Sequence, residues 1–225
     1  MSGPPKRHSE KESIGIFQVI THPDYYKAIM AVVGVMLAQQ LCGINAVIMY
    51  SVSFLSELLP TAAGLITVGV GVLNLIVTVL CAPLPDRLGR KLCLMISIAA
   101  MGINTLLLAL AILFGIKLLS AVATLLIVAS FGFGLGPIPF LLANELVGPE
   151  AVGATQSWAL AANWIAVFIV AQFFPILNVA MGKGKVFFLF AGVAAISFLF
   201  VAFFVPETKG KTADEAWGRT ERRED

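Results

Sequence analysis

Leu106-Leu107-Leu108-Ala109-Leu110-Ala111-Ile112-Leu113 is apolar at every position. A strand of a membrane barrel alternates apolar and polar residues with a period of two, and this run does not. A backbone in lipid must satisfy its own hydrogen bonds, so a long uniform apolar run is a helix. Five further runs of the same kind occur. Together they place helices at about Ala28–Tyr50, Ala62–Ala82, Leu92–Phe114, Ser120–Ala143, Ala154–Leu177 and Val186–Val205. Each is close to the ~20 residues that cross a bilayer.

The composition agrees. The chain has 225 residues, 59% apolar and only 12% charged, with a mean hydropathy of +0.93. Soluble domains carry ~25% charged residues. An ordinary soluble enzyme, a disordered chain and a nucleic-acid binder are excluded, and a net charge of +2 is too small for a polyanionic partner. Cys42, Cys81 and Cys93 lie in or beside apolar runs and lack metal-ligand spacing. His8 and His22 have no companion for zinc or nucleophilic chemistry. No nucleophile–base pair falls in the spans, so no enzyme, metal or cofactor is expected.

Residues 1–27 read as a polar tail with Pro4-Pro5 and a short surface helix near Ile14 to Ile20. Residues 28–205 form the membrane domain and 206–225 a second polar tail. An even number of spans puts both ends on one side. That side holds Lys6, Arg7, Lys11, Lys27, Arg87, Arg90, Lys91, Lys209, Lys211, Arg219, Arg222 and Arg223, whereas the other holds Lys117, Lys183 and Lys185. Twelve of the 15 cations on one side predict that both termini are cytosolic.

Polar residues inside spans are expensive and face protein or water. The first span carries Gln39, Gln40 and Asn45 around Gly43; Asn74, Asn104, Gln156, Asn163 and Gln172 occur in later spans. Gln39 and Asn45 are about 240° apart on an unbroken helix, so one shared face requires a break, and Gly43 is the place for it. Amides both donate and accept, which suits a ligand rich in hydroxyls; the same amides also serve as glue between helices. Gly132-Phe133-Gly134-Leu135-Gly136-Pro137-Ile138-Pro139 interrupts the fourth span. The interrupted spans are thus the first of each triplet, the pattern that points to a transporter binding site. Asp86-Arg87-Leu88-Gly89-Arg90-Lys91, Glu145 and Glu207 gather charge at the end of the bundle where the termini lie.

Five of these stretches resemble motifs of the sugar porter branch of the major facilitator superfamily. Gln39-Gln40-Leu41-Cys42-Gly43-Ile44-Asn45-Ala46-Val47 is similar to its seventh helix, and Asp86-Arg87-Leu88-Gly89-Arg90-Lys91 to its eight-to-nine loop. Gly136-Pro137-Ile138-Pro139 with Glu145 resembles the tenth helix, Asn163-Trp164 the eleventh and Pro206-Glu207-Thr208-Lys209-Gly210 the closing motif. The resemblance covers about Phe17 to Gly210. It implies an all-α membrane protein with six helices in a 3+3 arrangement, the C-terminal half of a twelve-helix fold. It implies sugar contacts at Gln39, Gln40, Asn45 and Asn74, a pocket position at Asn163 and an apolar floor at Phe140, where tryptophan is usual. It implies gating by Tyr50, Asp86, Arg87, Arg90, Glu145 and Glu207. The expected partners are a hexose-like sugar, the lipid bilayer, and an N-terminal six-helix half or another chain that supplies it; nucleic acid is not one. An arginine usual seven residues after Glu145 is Val152, and a carboxylate usual four residues before the Gly-Pro-Ile-Pro run is Gly132. These departures keep a second reading open, a transport-dead sensor or scaffold.

Overall fold

The computed structural model describes residues 14–56, 61, 63–182 and 184–219. The N-terminal tail with Pro4-Pro5 and His8, together with Lys6, Arg7, Lys11, Lys183, Arg222 and Arg223 of the charge count, lies outside these residues.

Among the described residues every regular element is helical. A short helix, α1 (Gln18–Thr21), precedes the first span. That span is split into α2 (Pro23–Leu41) and α3 (Ile44–Ser56). The second span is α4 (Ala63–Cys81), followed by the turn helix α5 (Leu84–Leu88), and the third is α6 (Arg90–Leu113). The fourth runs as α7 (Lys117–Ser130), a π-turn at Phe131–Leu135 and α8 (Ile138–Glu145). The fifth and sixth are α9 (Val152–Met181) and α10 (Val186–Phe204), and α11 (Ala213–Ala216) follows. Six stretches are long and apolar enough to cross a membrane, and the protein is an integral, multi-pass, all-α membrane protein.

The first helix begins five residues before the expected Ala28, because Pro23 takes the first helical position and the His22 imidazole caps it by accepting from the Asp24 N–H. The first span also continues beyond Tyr50 to Ser56. Its break falls at Cys42-Gly43. Gly43 has φ +89°, and a Cβ there would lie 2.6 Å from the Phe190 ring, so both backbone and space require glycine.

The core is where α2 packs on α9 and α6 packs on α7 and α10. Met36, Leu94, Ile98, Met101, Leu108, Ile127, Leu135, Ile138 and Phe187 are fully buried there. An aromatic cluster ties α3, α9 and α10, with ring centroids of Tyr50 and Phe174 5.0 Å apart and Phe174 stacked on Phe190 at 6.1 Å. By contrast α4 leaves Leu65, Val68, Val72, Leu75, Val79 and Leu80 exposed.

One end of the bundle collects the starts of spans one, three and five and the ends of spans two, four and six. Ile14 N–H donates to the Glu150 carbonyl at 3.0 Å, Tyr25 Oη to the Glu150 carboxylate at 2.6 Å, and Trp217 Nε1 to the Leu146 carbonyl at 3.2 Å. Six antiparallel crossings explain this, and both described chain ends lie here.

Candidate functional site

The two interrupted spans meet through one side chain. Gln39 Nε2 donates to the Leu135 carbonyl at 2.9 Å and to the Gly136 carbonyl at 2.8 Å. In a continuous helix the Leu135 carbonyl would accept from residue 139, but Pro139 has no N–H. The sequence thus creates an orphan acceptor, and Gln39 satisfies it.

Gln39 is the root of an amide network. Its Oε1 accepts from Asn163 Nδ2 at 2.5 Å and from Gln40 Nε2 at 3.3 Å. Gln40 Nε2 also reaches Asn163 Oδ1 at 3.2 Å, and Gln40 Oε1 accepts from Asn45 Nδ2. Gln39, Gln40 and Asn163 are 3%, 7% and 6% exposed, whereas Asn45 is only half-buried. Its Oδ1 has no partner among the described residues. The break at Gly43 turns Asn45 back toward Gln40, which an unbroken helix would not do. The network therefore has a closed end at the π-turn of the fourth span and an open end at Asn45.

Not every residue expected at this site joins it. Asn74, on α4, accepts from Thr78 Oγ1 of its own helix at 3.5 Å and lies beside the π-turn. A Cβ on Gly132 would lie 3.1 Å from both Asn74 Oδ1 and Thr78 Oγ1, so α4 occupies the room a carboxylate there would need. Phe140 is 42% exposed on α8. Tyr50 is engaged with protein: its Oη donates to the Ala171 carbonyl of α9 at 2.8 Å. Asn104 on α6 donates to Ser130 Oγ of α7 at 3.2 Å, a bond between helices.

A charge cluster closes the end where the termini lie. The Arg90 guanidinium holds Glu145 in a fork, with Nε 3.1 Å from both carboxylate oxygens and Nη2 2.8 Å from Oε1. Nη2 is also 2.8 Å from Asp86, and Nη1 donates to the Pro85 carbonyl at 3.1 Å. With valine at 152, Glu145 takes its further donor from the Thr208 hydroxyl. Among the described residues Glu207 does not pair with an arginine side chain. It accepts the N–H groups of Arg90 at 2.8 Å and Lys91 at 3.1 Å, capping the N-terminus of α6 where the helix dipole favours an anion. Gly89, at φ +104°, makes room for it, since a Cβ there would lie 2.5 Å from Glu207 Oε2. The Arg87 guanidinium is exposed and forms no ion pair among the described residues, while its carbonyl accepts from Lys209 Nζ at 2.5 Å. The sequence reading missed Thr208, and it missed Ser97, which touches the π-turn. A lone serine in an apolar span carries no pattern to find.

A family profile described as "Sugar (and other) transporter" matches residues 5–217. The chain belongs to the sugar porter family of the major facilitator superfamily. Relatives of this sugar porter chain include a probable metabolite transport protein of Saccharomyces cerevisiae, 37% identical over 203 residues, covering 90% of this chain and 41% of the yeast protein. The facilitated trehalose transporter Tret1 of Polypedilum vanderplanki is 36% identical over 219 residues, covering 93% of this chain and 43% of its own. The solved structure of the proton:xylose symporter XylE bound to 6-bromo-6-deoxy-D-glucose superimposes with a TM-score of 0.76 at 31% identity, over 84% of this chain and 42% of that one. The chain thus spans about two fifths of the length of these relatives, and its six spans match half of a twelve-helix fold.

Proposed function

We propose that this chain is the C-terminal half of a transporter that moves a hexose or related sugar by alternating access. The observation that carries the reading is the amide network rooted at the π-turn of the fourth span and open at Asn45. It offers a hydroxyl-bearing ligand an acceptor at Asn45 and, behind it, amides that exchange partners. Gln39, Gln40, Asn45 and Asn163 are assigned to this network, Asn74 and Phe140 to the neighbouring wall. The named substrates of Tret1 and XylE support a sugar. The other wall of the site comes from an N-terminal six-helix half or another chain. The end that carries Arg90, Glu145 and Glu207 is cytosolic in this reading, with the segments before the first span and after the last on the same side. Arg90, Glu145, Asp86 and Glu207 hold that end closed, and Tyr50 belongs to the opposite gate.

The test is hexose affinity by competition against a labelled sugar, on the protein in its twelve-helix form. A neutral bond to a buried amide contributes ~0.5–1.5 kcal/mol, and a stranded partner costs ~1–3 kcal/mol. Gln40→Ala or Asn45→Ala is therefore expected to weaken binding roughly 5- to 100-fold at tenfold per ~1.4 kcal/mol. Asn104→Ala is expected to change it less than about twofold. If the unsubstituted protein binds no hexose, the second reading replaces the first: a sugar-porter-like membrane protein without transport, acting as a sensor or scaffold. The substitutions at Val152, Phe140 and Gly132 favour that outcome.

A further inference from the structure

Leu135 is held from two directions. Its carbonyl accepts from Gln39 of the first span. Its N–H donates to the Ser97 hydroxyl of α6 at 2.8 Å, and that hydroxyl donates in turn to the Ser130 carbonyl at 2.6 Å. Ser130 and Leu135 are five residues apart, the two ends of a π-turn hydrogen bond. The next such bond joins Gly136 N–H to the Phe131 carbonyl at 2.9 Å. The Ser97 hydroxyl therefore bridges the donor and the acceptor at the two ends of this π-turn.

The placement is specific. Ser97 and Leu135 are both 0% exposed. Gly134 lets the π-turn approach α6, since a Cβ there would lie 2.7 Å from the Cys93 carbonyl and 2.9 Å from Ser97 Cβ. Serine and threonine within helices commonly bond back to their own i−4 carbonyl, as Ser120, Thr124, Ser130 and Ser157 do here. The Ser97 hydroxyl instead bonds across to the fourth span.

We infer that Ser97 is a positioning residue for the amide site: its hydroxyl pins both ends of the π-turn to the third span and so sets the Leu135 and Gly136 carbonyls where Gln39 reaches them. The inference rests on the sugar-site reading above. Without the hydroxyl, the Leu135 N–H and the Ser130 carbonyl lose the group that ties them to α6, and the π-turn opens more readily. That loosening moves the Leu135 carbonyl off Gln39. Gln39 is bonded through its Oε1 to Gln40 and Asn163, and Gln40 to Asn45, so the open end of the network moves with it. A hydroxyl on the third span thereby governs a ligand group on the first.

The experiment reads amide hydrogen exchange across residues 130–138, by mass spectrometry on the full chain in lipid nanodiscs, beside hexose affinity of the same variants in the twelve-helix form. Ser97→Ala is expected to raise exchange in this segment by about tenfold, the scale of one lost buried bond, and to weaken hexose binding several-fold. Ser97→Thr, which keeps the hydroxyl, is expected to restore both. Gln39→Leu raises exchange in the same segment, and the double variant Ser97→Ala/Gln39→Leu stays within about twofold of the larger single, because both act on one element. Should the threonine fail to fold, the double-variant comparison decides alone. Unchanged exchange in Ser97→Ala, or effects that multiply in the double variant, overturns the inference while leaving hexose binding by the unsubstituted protein intact. Absence of hexose binding by the unsubstituted protein, with the exchange coupling present, overturns the sugar-site reading instead and with it the positioning role.

Discussion

The Tyr50 hydroxyl donates to the Ala171 carbonyl at 2.8 Å, and Ala171 is the residue whose helical donor Pro175 removes. Gln39 and Leu135 repeat the arrangement, with Pro139 as the cause. In lipid no water is at hand to satisfy such a carbonyl, so a proline in a span obliges another span to supply a donor. Two of the residues read as site residues thus also fix the relation between spans, α3 to α9 and α2 to the π-turn of the fourth span.

The Tyr50 arrangement predicts a double-variant result. Tyr50→Phe leaves the Ala171 carbonyl without a donor and is expected to cost about 1–2 kcal/mol of stability. Pro175→Ala returns the helical N–H. In that background Tyr50→Phe is expected to cost less than about 0.5 kcal/mol, a coupling within the range for residues that share a partner. Thermal unfolding of the four proteins in detergent measures it. Equal losses in both backgrounds would show that the contribution of the Tyr50 hydroxyl does not depend on the donor that Pro175 removes.

How far the sequence could be read follows the same physics. Six spans were legible because lipid imposes one rule on every residue of a run, and the break at Gly43 was legible because Gln39, Gln40 and Asn45 could share a face in no other way. The start at Pro23 was missed because Asp24 and Lys27 lower the local hydropathy, although His22 and Pro23 form a cap. The membership of Gln40, Asn45 and Asn163 in one network followed from motif resemblance; their partners did not. The dual use of Gln39 required noticing that Pro139 strips the Leu135 carbonyl, which is a statement about residue i+4 and was open to the sequence. Ser97 was not, since only the crossing of α6 over the π-turn gives it two partners. Arg87 and Arg90 part for a plain reason: they are alike in a motif, but α5 ends at Leu88 and Gly89, at φ +104°, turns the chain between them.

Arg90 and Arg87 therefore separate by experiment. Arg90 is 14% exposed and grips Glu145, itself 25% exposed, whereas the Asp86 contact is 71% exposed and contributes little. Arg90→Ala strands a half-buried carboxylate and is expected to lose about 1–3 kcal/mol of stability and to raise labelling of a cysteine placed on the end where the termini lie. Arg90→Lys keeps the charge but not the fork and is expected to recover only part of the loss. Arg87→Ala is expected to stay within about 0.5 kcal/mol of the parent. Equal effects at the two positions would reduce the loop to a topology signal.

The distribution of cations gives a test of orientation. Among the described residues, Lys27, Arg87, Arg90, Lys91, Lys209, Lys211 and Arg219 lie toward the end where the termini lie, against Lys117 and Lys185 at the other. By the positive-inside rule both termini are expected in the cytosol. A tag fused after Asp225 is expected to survive external protease in intact cells and to be cut once the membrane is permeabilised. Cutting in intact cells would reverse the orientation.

The amide network distinguishes its own members. Gln40 uses its Nε2 on Gln39 and Asn163 and its Oε1 on Asn45, so Gln40→Ala strands Asn163 Oδ1 and Asn45 Nδ2 and leaves Gln39 Oε1 with one of its two donors. Asn45 makes one bond within the protein and leaves its Oδ1 free among the described residues. A residue that mostly holds the protein together lowers stability when truncated, with or without ligand. A residue that mostly meets ligand lowers affinity at nearly unchanged stability. Gln40→Ala is expected to lose both, about 2 kcal/mol or more in stability and at least fivefold in hexose affinity. Asn45→Ala is expected to lose less than about 1 kcal/mol in stability, the scale of one neutral bond, with an affinity loss at least as large as that of Gln40→Ala. The two numbers come from thermal unfolding without sugar and from competition binding with it. If Asn45→Ala lowers stability as much as Gln40→Ala and leaves affinity unchanged, the open end of the network is covered by protein, and the ligand lies elsewhere.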